Sequence, residues 1–114
     1  MKDTVNADVF KKICELREMQ KKYFKTRSRQ ILTICKKLES EFDVIINDST
    51  INNYKDSEIY TVIHLAFFMR LKQKKYFQTF LQSDKSEAKQ YEKRVDLAID
   101  AIKKMNQPTQ LNLF

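Results

Sequence analysis

The sequence predicts an all-α protein: two tandem helical hairpins packed as a four-helix bundle, followed by a flexible C-terminal tail. Three observations carry this. The 114 residues include no glycine and one proline, and are rich in Lys, Glu, Gln, Leu and Ile. The favoured hairpin turns of sheets need φ > 0, which glycine supplies most cheaply, so this composition favours helices. Apolar residues recur at steps of three and four, the helical period. Finally, the chain repeats itself.

Gln20-Lys21-Lys22-Tyr23-Phe24 returns as Gln73-Lys74-Lys75-Tyr76-Phe77, an offset of 53 residues from Gln20 to Gln73. The register then holds without a gap. Arg17 pairs with Arg70, Thr26 with Thr79, Lys36 with Lys89, Glu39 with Glu92 and Asp43 with Asp96. Leu16 with Met69, Leu38 with Tyr91, Phe42 with Val95 and Ile46 with Ile99 keep the same register. A repeat of this length encodes one supersecondary unit copied in tandem.

Each unit reads as two helices, in units of about 7–46 and 57–105. The first stripe is Val9, Ile13, Leu16, Gln20 and Tyr23, and the second is Ile31, Cys35, Leu38, Phe42 and Ile45. The third is Val62, Ala66, Met69, Gln73 and Tyr76. The fourth is Ala88, Tyr91, Val95, Ala98, Ile102 and Met105. Such steps let antiparallel neighbours share a seam. Thr4 or Asn6, Thr26 or Ser28, and Ser57 are the candidate N-caps of the first three helices. Asp84 with Glu87 is a capping-box candidate for the fourth. Residues 47–56, rich in Asn, Asp and Ser, form the linker. Lys25 to Arg29 contains no breaker, so a continuous helix completed by oligomerisation stays open beside the turn.

The net charge of +7, from 22 Lys and Arg against 15 Asp and Glu, favours a polyanion or an acidic protein surface as partner. Between Arg70 and Arg94 eight basic residues face three acidic ones. Lys21, Lys22, Lys74 and Lys75, beside the Tyr-Phe pairs, are the candidate contacts to nucleic acid or an acidic partner. The plainer reading makes them a solvated face whose stems cover apolar surface.

Catalysis has few supports. His64 is the single histidine and lies in an apolar run, which places it in the core. No glycine loop can cradle phosphate, and no Glu stands three residues before His64 to build a di-metal carboxylate site. Cys14 and Cys35 read as small buried residues in a reducing cytoplasm rather than a disulfide. The chain is expected to be no enzyme and to need no cofactor or metal. It shows no signal-peptide core, and its longest apolar run, Tyr60 to Met69, is too short to span a bilayer. Repeated Gln20 and Gln73, with the Glu and Asp pairs, are expected to fix register within each hairpin.

The last five residues, Gln110-Leu111-Asn112-Leu113-Phe114, lie beyond the only proline, Pro108. This peptide resembles the motif by which bacterial polymerases and repair factors hold the DNA sliding clamp, Gln-Leu-(Ser/Asp/Asn)-Leu-Phe, and every position matches. The resemblance covers these five residues alone. It implies that Leu113 and Phe114 enter an apolar pocket of the clamp, Gln110 hydrogen-bonds at a flanking subsite and Leu111 packs alongside. The implied role is a small accessory protein that recruits replication or repair factors to the clamp or competes with them, as would suit a phage or mobile element. Against it stand an interaction or inhibitor module that binds an acidic host protein through the bundle, with the tail folded back as a plug, and a clamp-independent DNA-binding protein.

Overall fold

A computed structural model describes residues 2–105, with side chains from Asn6 onward. Four helices follow in order: α1 (Lys2–Thr26), α2 (Arg29–Ile45), α3 (Tyr60–Thr79) and α4 (Gln82–Met105). A short 3-10 turn, Ile51–Tyr54, lies between α2 and α3. The all-α hairpin bundle expected from the sequence is what forms. The most extensive packing is within the hairpins, α1 on α2 and α3 on α4, and α1 against α3 is the main junction between them. Among the described residues no helix is long and apolar enough to cross a membrane.

The core is the seam the stripes foretold. Val9, Ile13 and Leu16 meet Phe42 and Ile46 from the first unit, and Val62, Ile63, Ala66, Met69, Val95 and Ile99 from the second. Ile13, Leu16, Val62, Ile63, Ala66, Met69 and Val95 are entirely shielded from water. At about 25 cal/mol per Å² of apolar surface, these side chains supply the main drive to fold. The linker joins in: Ile51 is buried against this core and Tyr54 packs on it. Thr50 holds its start by donating from Oγ1 to the Ile45 carbonyl (2.7 Å) and accepting from the Asn47 N–H (3.0 Å).

The fourth stripe departs from expectation. Its buried line is Ala88, Glu92, Val95 and Ile99, whereas Tyr91, Ala98 and Ile102 are half-buried and Met105 is 77% exposed. Pattern alone assigns the Glu92 carboxylate to solvent, yet the partners described below make its burial tolerable. His64 is likewise half-buried rather than central. It packs between Tyr60, tilted against it, and Phe68, edge-on to it, with centroids 5.5 and 4.8 Å away.

Both hairpins turn abruptly. Arg27 and Phe80, equivalent in the repeat, adopt the left-handed conformation with φ of 55°. Their N–H groups donate to Tyr23 and Tyr76 carbonyls at 2.7 Å, closing α1 and α3. Thr26 and Thr79 precede them, each Oγ1 accepting the N–H two residues on (Ser28 and Leu81, both 3.2 Å). The chain thus breaks between α1 and α2 without glycine, and the continuous helix is not formed.

Of the expected caps, Ser28 holds: its Oγ accepts from the Ile31 N–H at 3.4 Å. Helix α1 begins upstream of Thr4 and Asn6, because it starts at Lys2. Ser57 receives the Ile59 N–H (3.1 Å) in the turn before α3, whose N-cap position is Ile59. Asp84 forms no capping box. It is buried within the first turn of α4, where it accepts from the Thr79 hydroxyl and faces Lys75 Nζ at 3.6 Å.

Candidate functional site

The repeated polar residues converge between the hairpins. Gln20 and Gln73 exchange amide hydrogen bonds, Gln20 Nε2 donating to Gln73 Oε1 (3.2 Å) and Gln73 Nε2 to Gln20 Oε1 (3.3 Å). Each amide also donates to a carboxylate of its own hairpin, Glu39 from Gln20 and Glu92 from Gln73, both at 2.9 Å. Each amide oxygen accepts from the arginine one turn earlier, Arg17 Nη1 to Gln20 and Arg70 Nη1 to Gln73, both at 2.7 Å. Both amides therefore use two donors and two acceptor positions, which buried polar groups require.

The arginines reach across to the other hairpin. Arg17 forks onto Asp96 (2.8 and 3.0 Å), and Arg70 forks onto Asp43 (3.1 and 3.0 Å). These are planar two-bond pairs, stronger and more directional than a single hydrogen bond. Lys21 adds a charge at Asp96 (3.7 Å) and Lys74 at Asp43 (3.2 Å). Lys36 and Lys89 stand 3.7 and 3.6 Å from Glu39 and Glu92. The two halves are thus related by an approximate two-fold. The expectation that these polar residues act within each hairpin holds for Gln20–Glu39 and Gln73–Glu92. Arg17–Asp96, Arg70–Asp43 and Gln20–Gln73 act between hairpins instead. Among the described residues no buried side-chain nitrogen or oxygen lacks a partner.

Above this network, at the turn end of the bundle, a cleft of about 500 Å³ opens. Its walls are the two copies of one motif, Tyr23 and Phe24 facing Tyr76 and Phe77, and its floor is Gln20 and Gln73. Lysines from the opposite unit lie over the rings: Lys89 Nζ is 4.1 Å from the Phe24 centroid and Lys36 Nζ 5.2 Å from that of Phe77. Such an arrangement draws a cation to the electron-rich ring face. Phe24 and Phe77 nevertheless remain 44% and 57% exposed, and Phe80 extends the apolar surface as it packs on Tyr76 and Phe77.

A second depression, about 590 Å³, runs between α1 and α4 and is lined by Arg17, Lys21, Lys22, Lys25 and Lys89, with Glu18 and Glu92 the acids. Of the four lysines singled out in the sequence, Lys21 and Lys22 are exposed in this groove. Lys74 and Lys75 are also exposed, but line neither depression and lie against Asp43 and Asp84. Gln110 to Phe114 lie outside the described residues.

Cys14 and Cys35 are free thiols, and burial pushes both above the ordinary thiol value. That is the direction of an inert side chain. Among the described residues no group of three or more His, Cys, Asp and Glu could hold a metal ion.

The buried Arg17, Arg70, Asp84 and Glu92 are residues that sequence pattern does not place in the interior, and all but Asp84 belong to the polar network between the hairpins. The signal that could find those three is the shared register of Arg, Gln, Glu and Asp. A repeated charge at a fixed offset points to a repeated partner. The fold and site define a duplicated-hairpin bundle with a polar interface on its two-fold axis. The chain matches no protein-family model, and no curated protein or solved structure matches it.

Proposed function

We propose that the protein is a small basic adaptor that docks on the bacterial DNA sliding clamp through Gln110-Leu111-Asn112-Leu113-Phe114. The observation that carries this is the match of that peptide to the clamp-binding pattern at every position. Leu113 and Phe114 fill the clamp's apolar pocket, Gln110 supplies a directional hydrogen bond and Leu111 packs at the rim.

The chain's net charge of +7 supports the reading, because a basic body suits contact with polyanions. Helix α4 starts beside the aromatic cleft and carries the chain away over its 24 residues, about 35 Å at 1.5 Å per residue. Short linear peptides bind weakly, so a second attachment by the basic body would raise avidity. The outcome is recruitment of a replication or repair activity, or displacement of polymerases that use the same pocket.

The test is calorimetric titration of a purified bacterial clamp with the full chain and with a chain lacking residues 110–114. The expected result is binding near the micromolar range that disappears with the peptide, at unchanged helicity and melting temperature. Equal binding by both chains, or by neither, overturns the reading. A fall in stability by a few kcal/mol on deletion would assign the peptide to a plug on the fold instead.

A further inference from the structure

We propose that the cleft at the turn end, together with the groove between α1 and α4, is a binding site for single-stranded nucleic acid. The two depressions share Phe24, Lys89 and Glu92, so a basic track runs into an aromatic chamber. This juxtaposition is the one an unpaired strand needs: cations along the phosphates and solvent-exposed rings for the bases.

The track has charge to offer. Lys22 and Lys25 are exposed and, among the described residues, have no carboxylate within ion-pair distance. Lys21 is more than half exposed beside Asp96. Phosphates arriving here release condensed counterions from the strand, the term that dominates such binding.

The chamber has ring faces to offer. Phe24 and Phe77 are large apolar side chains left in water at equivalent places in the repeat, each with an ammonium over its face. A nucleotide exchanges both partners favourably: the phosphate takes the lysine and the base takes the ring. The lining favours bases over an acidic peptide. Tyr23, Phe24, Tyr76 and Phe77 bring four rings to the wall, whereas among the described residues Leu32 is its only branched aliphatic side chain. A duplex keeps its base faces stacked inside and has none to present.

The proposed site is made of residues between Arg17 and Glu92. The experiment is fluorescence anisotropy of a labelled oligothymidylate of about 16 nucleotides with the full chain at low salt. The expected result is saturable binding that weakens steeply with salt. Phe24→Ala with Phe77→Ala should lower affinity about tenfold per ring engaged. Lys22→Glu with Lys25→Glu should weaken binding and reduce the log–log salt slope by about 1.4, or about 0.7 for each phosphate no longer neutralised. All four side chains are exposed, and circular dichroism verifies that the variants fold. The chain lacking residues 110–114 should bind equally well. No binding, no effect of the paired Phe substitutions, equal affinity for a duplex of the same length, or tighter binding of an oligoglutamate peptide each overturns the proposal.

Discussion

Gln20 and Gln73 meet on the approximate two-fold axis and are each other's hydrogen-bond donor and acceptor, at 3.2 and 3.3 Å. The same residue of the two repeat copies is therefore its own partner, a self-complementary pairing of the kind two-fold interfaces impose. The arginine one turn earlier in each copy then reaches the aspartate of the other. Duplication of one hairpin has thus produced an interface in which each polar group has a mirror.

Gln20→Leu should leave Glu39, Arg17 and Gln73 each short of a partner, costing about 2–4 kcal/mol as several buried groups lose bonds worth ~1–3 kcal/mol when unmade. Gln73→Leu should cost a similar amount. The double variant should cost less than the sum, with a coupling of about 1–3 kcal/mol. Urea denaturation of the four proteins measures it, and strict additivity would show that the two amides do not interact.

Arg17→Met should strand Asp96 with Lys21 alone at 3.7 Å and remove a donor from Gln20. The loss is about 2–4 kcal/mol, somewhat under the ~3–5 of a fully buried broken pair because Asp96 stays partly hydrated. Arg17→Lys should recover only part of it, since an ammonium cannot fork onto the carboxylate. Arg70→Met should behave alike through Asp43. Melting temperatures of the three variants check this.

Leu16→Ala should cost about 2–5 kcal/mol, because the side chain is wholly enclosed between the hairpins and leaves a cavity. Leu97→Ala should change stability by no more than about 0.5 kcal/mol, since Leu97 is one of the exposed apolar residues of α4. Thermal unfolding of both variants separates the two cases.

Arg27 stands where glycine would be easiest, at φ of 55°. Arg27→Gly should be neutral or stabilising by up to about 1 kcal/mol, the relief of the left-handed backbone being offset by the freer unfolded chain. Arg27→Val should destabilise by about 1–2 kcal/mol, as a branched side chain suits that region worst. Denaturant midpoints give the ordering.

The thiols set a pH dependence. Burial holds Cys14 and Cys35 above the ordinary thiol value in the folded chain. Between the unfolded and folded values the unfolded chain has lost protons that the native chain retains, so stability falls as pH rises there. Below the unfolded value their contribution is constant. Cys14→Ala with Cys35→Ala should flatten the alkaline decline, and a thiol reagent should modify the native protein far more slowly than the unfolded one. Rapid native labelling would contradict this.

The bundle is legible in the sequence because its signals are periodic. Val9, Ile13 and Leu16, Val62, Ala66 and Met69 repeat at the helical step, and the absence of glycine removes the competing folds. The turn at Lys25–Arg29 is legible only in part: Ser28 is a readable N-cap, but Arg27 there and Phe80 in the second hairpin make the breaks in a conformation that neither residue type advertises. Nor is the outer line of α4, where Tyr91 and Met105 read as core and Glu92 does not. Local pattern assigns a charged residue to solvent, and only a partner brought from elsewhere can reverse that.

The sequence alone determined the helices, the hairpin duplication and the register that equates Gln20 with Gln73. These follow from neighbours a turn apart and from repetition along the chain. Tertiary structure alone decided that Arg17 seeks Asp96 and Arg70 seeks Asp43, that two aromatic pairs far apart in sequence wall one cleft, and that lysines of one repeat cover rings of the other. Those relations depend on how two hairpins settle against each other. Shape and burial across the whole interface set that arrangement, and no local spacing in the chain encodes it.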